Sequence, residues 1–437
     1  MKIAVIGSGV SGLGAALALS ERHEVLLFEK DQRFGGHANT VEIDYDGVAT
    51  PVDTGFIVFN THNYPNLSAM FEALGVATED SDMTFAVSAD GGRLEYACDG
   101  LDKVFAQRWR ALDPKFLRTF LEILRFHRQA RGALAAGEMD GLSLGEWLDR
   151  SGYGRHFREK FLLPMGGAIW STSVRDMLDF PAQGLVQFFA NHHLLEGFER
   201  KVTWRTVSGG SREYVSRALK KLGPRAQAGV GAVEVRRIAT GQVRVRFDDG
   251  SDDVFDQVVL ACHSDQALRL LADPDPMERS LLASVRYSDN VAVLHRDRAL
   301  MPRREKVWSS WCFMSEQGAD ARPPAVSYWM NKLQNIDRSR PLFVTLNPHK
   351  EIDPALEFGR WSYAHPLFDQ AAFDAQGRFD LAQGRRGVWF AGAWLGWGFH
   401  EDGLRSGLRV ADALGARPDW AVDLGAPLRP SIAIAAE

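Results

Sequence analysis

Lys2-Ile3-Ala4-Val5-Ile6-Gly7-Ser8-Gly9-Val10-Ser11-Gly12 is the stretch that decides the fold. Its first five residues read as a short apolar strand, and the glycines that follow carry the spacing GxGxxG. Leu13–Arg22, rich in alanine and leucine, reads as a helix, and Glu24–Glu29 reads as a second apolar strand that ends in an acid. Strand, glycine turn, helix and strand make one βαβ unit of a parallel sheet. In such a unit Gly7 permits the tight turn, Gly9 lets main chain approach a pyrophosphate, and Gly12 lets the helix pack on the strand. Val10 and Ser11 belong to the turn and are expected at the cofactor, and the first N–H groups and partial positive charge of the helix that follows face phosphate. Glu29, with Lys30 beside it, stands where an acid hydrogen-bonds a ribose hydroxyl. The unit predicts a bound dinucleotide.

Similar patterning returns later in the chain. Val230–Ile238 and Gln242–Phe247 read as a hairpin pair, Asp249-Gly250 as a turn and Phe255–Ala261 as another apolar strand. The chain closes with a strand at Gly387–Ala391, a glycine-rich loop and a helix over Gly403–Leu414. The segments between them are unlike these. Asp113–Gly132 has apolar residues at helical spacing, and Ser143–Asp149 begins with Ser143 and Glu146 at capping-box spacing. Val285–Phe368 reads as aromatic and loop-rich. The predicted class is therefore α/β: a Rossmann-like dinucleotide-binding domain with a parallel sheet, plus a discontinuous α+β substrate domain. Residues 1–84, 205–284 and 370–415 are assigned to the first, and 85–204 and 285–369 to the second. The tail, 416–437, is rich in Pro and Ala and is expected to be poorly ordered.

The 437 residues are enough for two or three domains, and 45% hydrophobic with 24% charged residues is ordinary globular composition. A net charge of −5 gives no field that would gather nucleic acid. Cys98, Cys262 and Cys312 form neither a disulfide framework nor a metal spacing, which points to a reducing compartment. With no visible signal peptide and no apolar run of the roughly 18 residues a spanning helix needs, a cytoplasmic protein is expected. His192 and His193 lack a ligand partner at metal spacing, so no metal is expected.

Further motifs carry a resemblance. Arg33-Phe34-Gly35-Gly36-His37, followed by Asn39 and Thr40, resembles the glycine doublet of the flavin amine oxidase and phytoene desaturase superfamily. In that superfamily an arginine usually follows the doublet; here His37 stands there, which leaves Arg33 to supply charge at the phosphates. Phe390-Ala391-Gly392, then Gly398 to Gly407 with Phe399, His400, Glu401, Asp402, Gly403 and Ser406, looks like the superfamily's closing motif. Its usual acid after the FAG triplet is replaced by Ala393. Asp53-Thr54-Gly55-Phe56, with Asn60 close behind, resembles the loop at the flavin ring edge, and Val235 lies in a strand like the one that meets adenine. The resemblance implies one FAD, with no second GxGxxG for a nicotinamide.

Phe161–Ser171, Phe188–His193, Trp308–Trp311, Tyr328–Asn331 and Leu346–Pro348 extend the likeness to a bacterial subgroup of NAD/FAD-binding proteins. Its best understood members resemble the fatty-acyl desaturases of furan fatty acid synthesis. The implied reaction dehydrogenates a methyl-branched unsaturated acyl chain, held as phospholipid, to a conjugated diene, with hydride passing to flavin N5. Phe399 would face the flavin, or else pack in the core; His400 or Glu401 would accept the proton, or Glu401 and Asp402 would cap the helix. Trp170, His192, His193, His295 and Trp394 are pocket candidates. The basic, amphipathic stretch near 103–131 reads either as a solvated face or as a docking surface at the inner face of the cytoplasmic membrane. Two other functions stay open: an amine or polyamine oxidase, and a non-catalytic FAD-binding scaffold for a lipid-modifying enzyme.

Overall fold

The computed structural model describes residues 1–192, 194–195, 202–316, 325–426 and 428. At its centre is a parallel sheet in the order Ala226–Ala228, Glu24–Glu29, Lys2–Ile6, Gln257–Leu260, Val388–Phe390. The first strand reads as a continuous apolar run because both its faces are covered. Ile3 and Val5 join one core with the flanking helices, whereas Ala4 and Ile6 join another with Phe28, Val258 and Phe390. Since the chain leaves the first strand towards Glu24–Glu29 and later returns on its other side at Gln257–Leu260, a crevice opens at the carboxyl ends of these strands.

The helix after the glycine turn runs Val10–Leu19, three residues earlier in onset than the alanine-rich pattern suggested, and every residue of it is buried. It lies against the closing helix, His400–Ala413. A Cβ on Gly407 would come 2.2 Å from the Ser11 carbonyl oxygen, so only glycine allows this crossing.

The second sheet corrects the expectation for 285–368. That region is not loop-rich: it supplies Glu357–Leu367, Arg286–His295, Phe343–Leu346, Ala325–Trp329 and Trp311–Met314 to a seven-stranded sheet completed by Phe85–Ala89 and Leu94–Ala97. The central strands are buried on both faces, as in the wholly buried Phe343–Leu346, so the polar–apolar alternation that marks a half-exposed strand is missing there.

A helical layer faces this sheet: Pro114–Ala135, Leu144–Arg150, Leu163–Trp170 and Ala182–Asn191. The Ser143–Glu146 capping box forms as its spacing predicts. Phe126, Trp147, Phe157, Phe161 and Phe189 share its core. The near part of the tail also departs from expectation. Ala416, Leu424 and Leu428 are buried, and the Asn66 side chain accepts from Val422 N and donates to the Asp423 carbonyl. Residues 427 and 429–437 lie outside the described part of the chain.

Candidate active site

A cavity of about 880 Å³ begins at the carboxyl ends of the parallel strands and continues between the seven-stranded sheet and the helical layer. Its two ends differ in chemistry.

The first end is main chain and polar. Gly7, Gly9, Val10, Ser11, Glu29 and Lys30 line it. The Glu29 carboxylate accepts from Ser8 N at 3.0 Å and Ser8 Oγ at 2.7 Å through one oxygen, and from Asp31 N at 3.1 Å through the other. Helix Val10–Leu19 has no side-chain cap and no acid in its first turn, so its leading N–H groups are not claimed by a side chain. A Cβ on Gly9 would meet nothing within 4 Å, while one on Gly36 would come 3.1 Å from Gly9 Cα. The glycine turn and the doublet thus touch, and both present bare backbone.

Gly36, His37, Thr54, Gly55 and Phe56 also line the cavity. Arg33 lines it too, but its guanidinium donates to the carbonyls of Phe34, Gly36 and Ala38, so this cation braces the doublet turn. His37 is held well below the ordinary histidine range, first by burial and then by the neighbouring His365, His263, His400 and Arg33. At neutral pH it is an uncharged ring.

Several predicted residues stand behind the wall rather than in it. A Cβ on Gly12 would sit 1.9 Å from the Gly7 carbonyl oxygen, and one on Gly35 2.7 Å from that of Ala38. Asn39 donates to Thr54 Oγ1 and Tyr363 Oη, each at 2.9 Å. Thr40 donates to the buried Asp53, whose carboxyl burial pushes up to about 6. Val235 is wholly buried in the hairpin, and the cavity meets that stretch at Val230 and Ala232 instead.

The closing motif divides in the same way. Gly392, Phe399 and His400 line the cavity. Gly392 N donates to Ser406 Oγ at 2.8 Å, and Asp402 accepts from Trp397 N and Phe399 N, which fixes the loop before the helix. Gly403 gives the clearance for Val10 and Ser11. Glu401 does not line the cavity: its carboxylate takes Asn66 N, Asn66 Nδ2 and Leu67 N at 2.7–3.1 Å, at the junction between helices. His400 stacks on Phe56, with centroids 3.8 Å apart, and its Nε2 lies 3.3 Å from Tyr214 Oη. Burial pulls its pKa down to about 3, so it is a neutral ring and a weak base.

The second end is apolar. Phe399, Phe188 and His192 form a run of facing rings, with centroids 5.1 Å and 3.8 Å apart. Met165, Ile169, Trp170 and Leu194 extend one wall, and Phe85, Trp311, Tyr328, Val344 and Leu346 the other. Trp394 lines the cavity; His295 does not, being buried against Thr345 Oγ1 at 2.7 Å. His193 lies outside the described residues. Sequence reading missed His263, Tyr287, Tyr363 and His365, which line the middle. Tyr363 and His365 stand two apart on the strand Glu357–Leu367, but Tyr287 comes from another strand and His263 from a strand-end loop, and no local spacing ties these to that pair. Among the described residues, the carboxylates lining the cavity are Glu29 and Asp31, both at the first end.

These features fit a flavin dinucleotide: backbone donors and a ribose-height acid at one end, and an uncharged ring-lined space at the other. Comparison with known proteins agrees. The family model of flavin containing amine oxidoreductases matches residues 10–296. AofH of Mycobacterium tuberculosis, named as a flavin-containing monoamine oxidase, is 28% identical over 262 residues, 57% of this chain and 54% of its own. The 15-cis-phytoene desaturase of Arabidopsis thaliana is 26% identical over 182 residues, 39% of this chain and 31% of its own. The chain thus spans about half or less of these curated relatives. A fatty acid isomerase from P. acnes that produces CLA shares the fold, with a TM-score of 0.65, 15% identity, and coverage of 94% of this chain and 97% of that one.

Proposed function

This chain belongs to the family of flavin containing amine oxidoreductases, and from that premise we propose that it is an FAD-dependent oxidoreductase that dehydrogenates a methyl-branched unsaturated fatty acyl chain to a conjugated diene. The observation that carries the reading is the second end of the cavity: aromatic and aliphatic side chains, with no carboxylate among the described residues that line it. An amine substrate is a cation that a carboxylate or aromatic faces can meet, whereas an acyl chain calls for apolar wall along its whole length.

Bound FAD supplies the two-electron acceptor. The residues of this chain do the rest. Gly7, Gly9 and Gly36 would give main chain to the FAD phosphates, and Glu29 would accept from a ribose hydroxyl. Phe399, Phe188 and Trp170 hold the chain in a fixed pose and exclude water. His400, neutral and stacked on Phe56, adds no positive charge to the cavity. That matters because positive charge develops on a carbon as hydride leaves it, and a buried cation would oppose it. An allylic position beside a methyl-substituted double bond spreads this charge best. Among the described residues no carboxylate lines the second end, so water or a neutral polar group takes the proton.

The test is product analysis. Purified protein with FAD, oxygen and a phospholipid carrying a methyl-branched monounsaturated chain yields a conjugated diene, seen as new ultraviolet absorbance and in the released fatty acids. An unchanged acyl chain, with an amine oxidised instead, defeats the proposal.

A further inference from the structure

Half of the exposed large apolar side chains among the described residues fall within one short stretch. Of twelve such residues, six are Leu101, Trp109, Leu112, Leu117, Leu121 and Leu124. Leu112 is 86% exposed, Leu121 63%, Leu101 58% and Trp109 57%. Leu117, Leu121 and Leu124 are spaced i, i+4, i+7 and so form one stripe along the helix Pro114–Ala135. An exposed apolar cluster of this kind in a folded protein marks an interaction surface.

The charge around it is mostly of one sign. Between residues 101 and 131 there are eight Lys and Arg against three acids, in a chain whose net charge is −5. Asp102 pairs with Arg108 and with Lys306. Asp113 caps the helix and pairs with Arg110 at 2.6 Å, while Glu122 is buried on the inner face. Lys115, Arg118 and Arg128 are exposed next to the leucine stripe. Apolar side chains rimmed by Lys and Arg suit an anionic lipid surface: the apolar groups enter the headgroup layer and the cations meet phosphate. Among the described residues no helix is long and apolar enough to cross a membrane, so the contact is superficial.

The position also makes sense of the cavity. The inner face of this helix packs Phe126 against Phe189 of Ala182–Asn191, with centroids 6.4 Å apart. Phe188 and His192, in and just after that second helix, line the apolar end of the cavity. The leucine stripe is thus one helix layer away from the space assigned to the acyl chain.

We propose that residues 101–131 dock the protein on an anionic phospholipid bilayer. Docking is argued from this surface alone; only its link to the cavity rests on the acyl-oxidising reading. The experiment is flotation of the full chain, loaded with FAD, on vesicles of phosphatidylglycerol and phosphatidylcholine in equal parts, and on phosphatidylcholine alone. The wild type floats with the anionic vesicles and is released by high salt, because exposed charge is then screened. Lys115→Glu with Arg128→Glu lowers partitioning by at least about 25-fold, from about fivefold per cation removed. Leu112→Gln with Leu121→Gln lowers it by about tenfold, since each loses exposed hydrocarbon that would be buried in lipid. Leu381→Gln, at an exposed leucine elsewhere, leaves it unchanged. Flavin content, read for each variant, reports folding. Equal binding to phosphatidylcholine alone, no binding by the wild type, or a lipid-free dimer that both double variants abolish would each overturn the proposal. Oxidation of the same acyl substrate dispersed in detergent, where docking is not needed, is read in parallel. It separates failure of docking from failure of the reaction.

Discussion

The two ends of the cavity solve opposite problems with opposite materials. At the glycine end, recognition is by backbone: side chains are absent at Gly7, Gly9 and Gly36, and the acid Glu29 is held by the main chain it faces. At the other end, recognition is by bulk: Phe399, Phe188 and Trp170 occupy the wall, and no carboxylate lines it among the described residues. The first end needs few atoms placed closely, so it tolerates almost no addition. The second needs dryness, so it tolerates shape changes better than it tolerates charge.

Breaking the second end has the largest expected effect. Phe399→Asp puts a carboxylate into an apolar wall, where an unpaired charge is costly. Oxidation of the acyl substrate falls at least a hundredfold while flavin content is retained; a variant with near-normal turnover would show that this wall does not hold substrate. Breaking the first end should do the reverse. Gly9 has φ −62, which any residue adopts, and a Cβ there meets no protein atom within 4 Å. Gly9→Ala therefore folds as apo-protein but weakens FAD by roughly a hundredfold, about 2.7 kcal/mol. Titration of apo-protein with FAD reads this directly, and unchanged affinity would remove the phosphates from this turn.

Two smaller effects sharpen the contrast by testing one group behind the cavity wall and one in its middle. Glu401 ties helix His400–Ala413 to Asn66 and Leu67. Glu401→Gln lowers stability by about 1–3 kcal/mol, the cost of leaving buried donors poorly matched, with turnover per bound flavin intact. Collapse of turnover at normal stability would restore it as a proton acceptor. His365 is pulled to about 4 by burial, with His263 adding to the effect. Its unfolded form titrates near 6.5, so as pH falls from there to about 4 the unfolded chain binds a proton that the folded one refuses. Stability is lost over that window, by up to about tenfold in the folding equilibrium per pH unit. His365→Asn should flatten this part of the denaturation profile, while a parallel profile for the two proteins would mean that His365 titrates normally.

The same contrast explains what could be read from sequence. The glycine end was legible because its chemistry is contiguous: turn, helix and Glu29 lie in one βαβ unit, and spacing fixes geometry. The closing motif was legible as a block but not residue by residue. His400, Glu401 and Asp402 are neighbours in sequence, yet successive residues of a helix point about 100° apart. One therefore meets the cavity, one meets the neighbouring helix, and one caps its own turn. The rest of the wall was hidden for a different reason. Phe85, Trp311, Tyr328 and Val344 come from strands of a sheet whose order does not follow the chain, and both faces of its central strands are buried. Neither alternation nor adjacency marks them. His263, His365 and Tyr363 converge only once two sheets are in place.

The most direct test mixes the FAD-loaded protein, without oxygen, with a methyl-branched monounsaturated acyl lipid or with an amine such as putrescine, and follows the flavin absorbance. The account predicts that the lipid bleaches the flavin and the amine does not. Bleaching by the amine alone would contradict it.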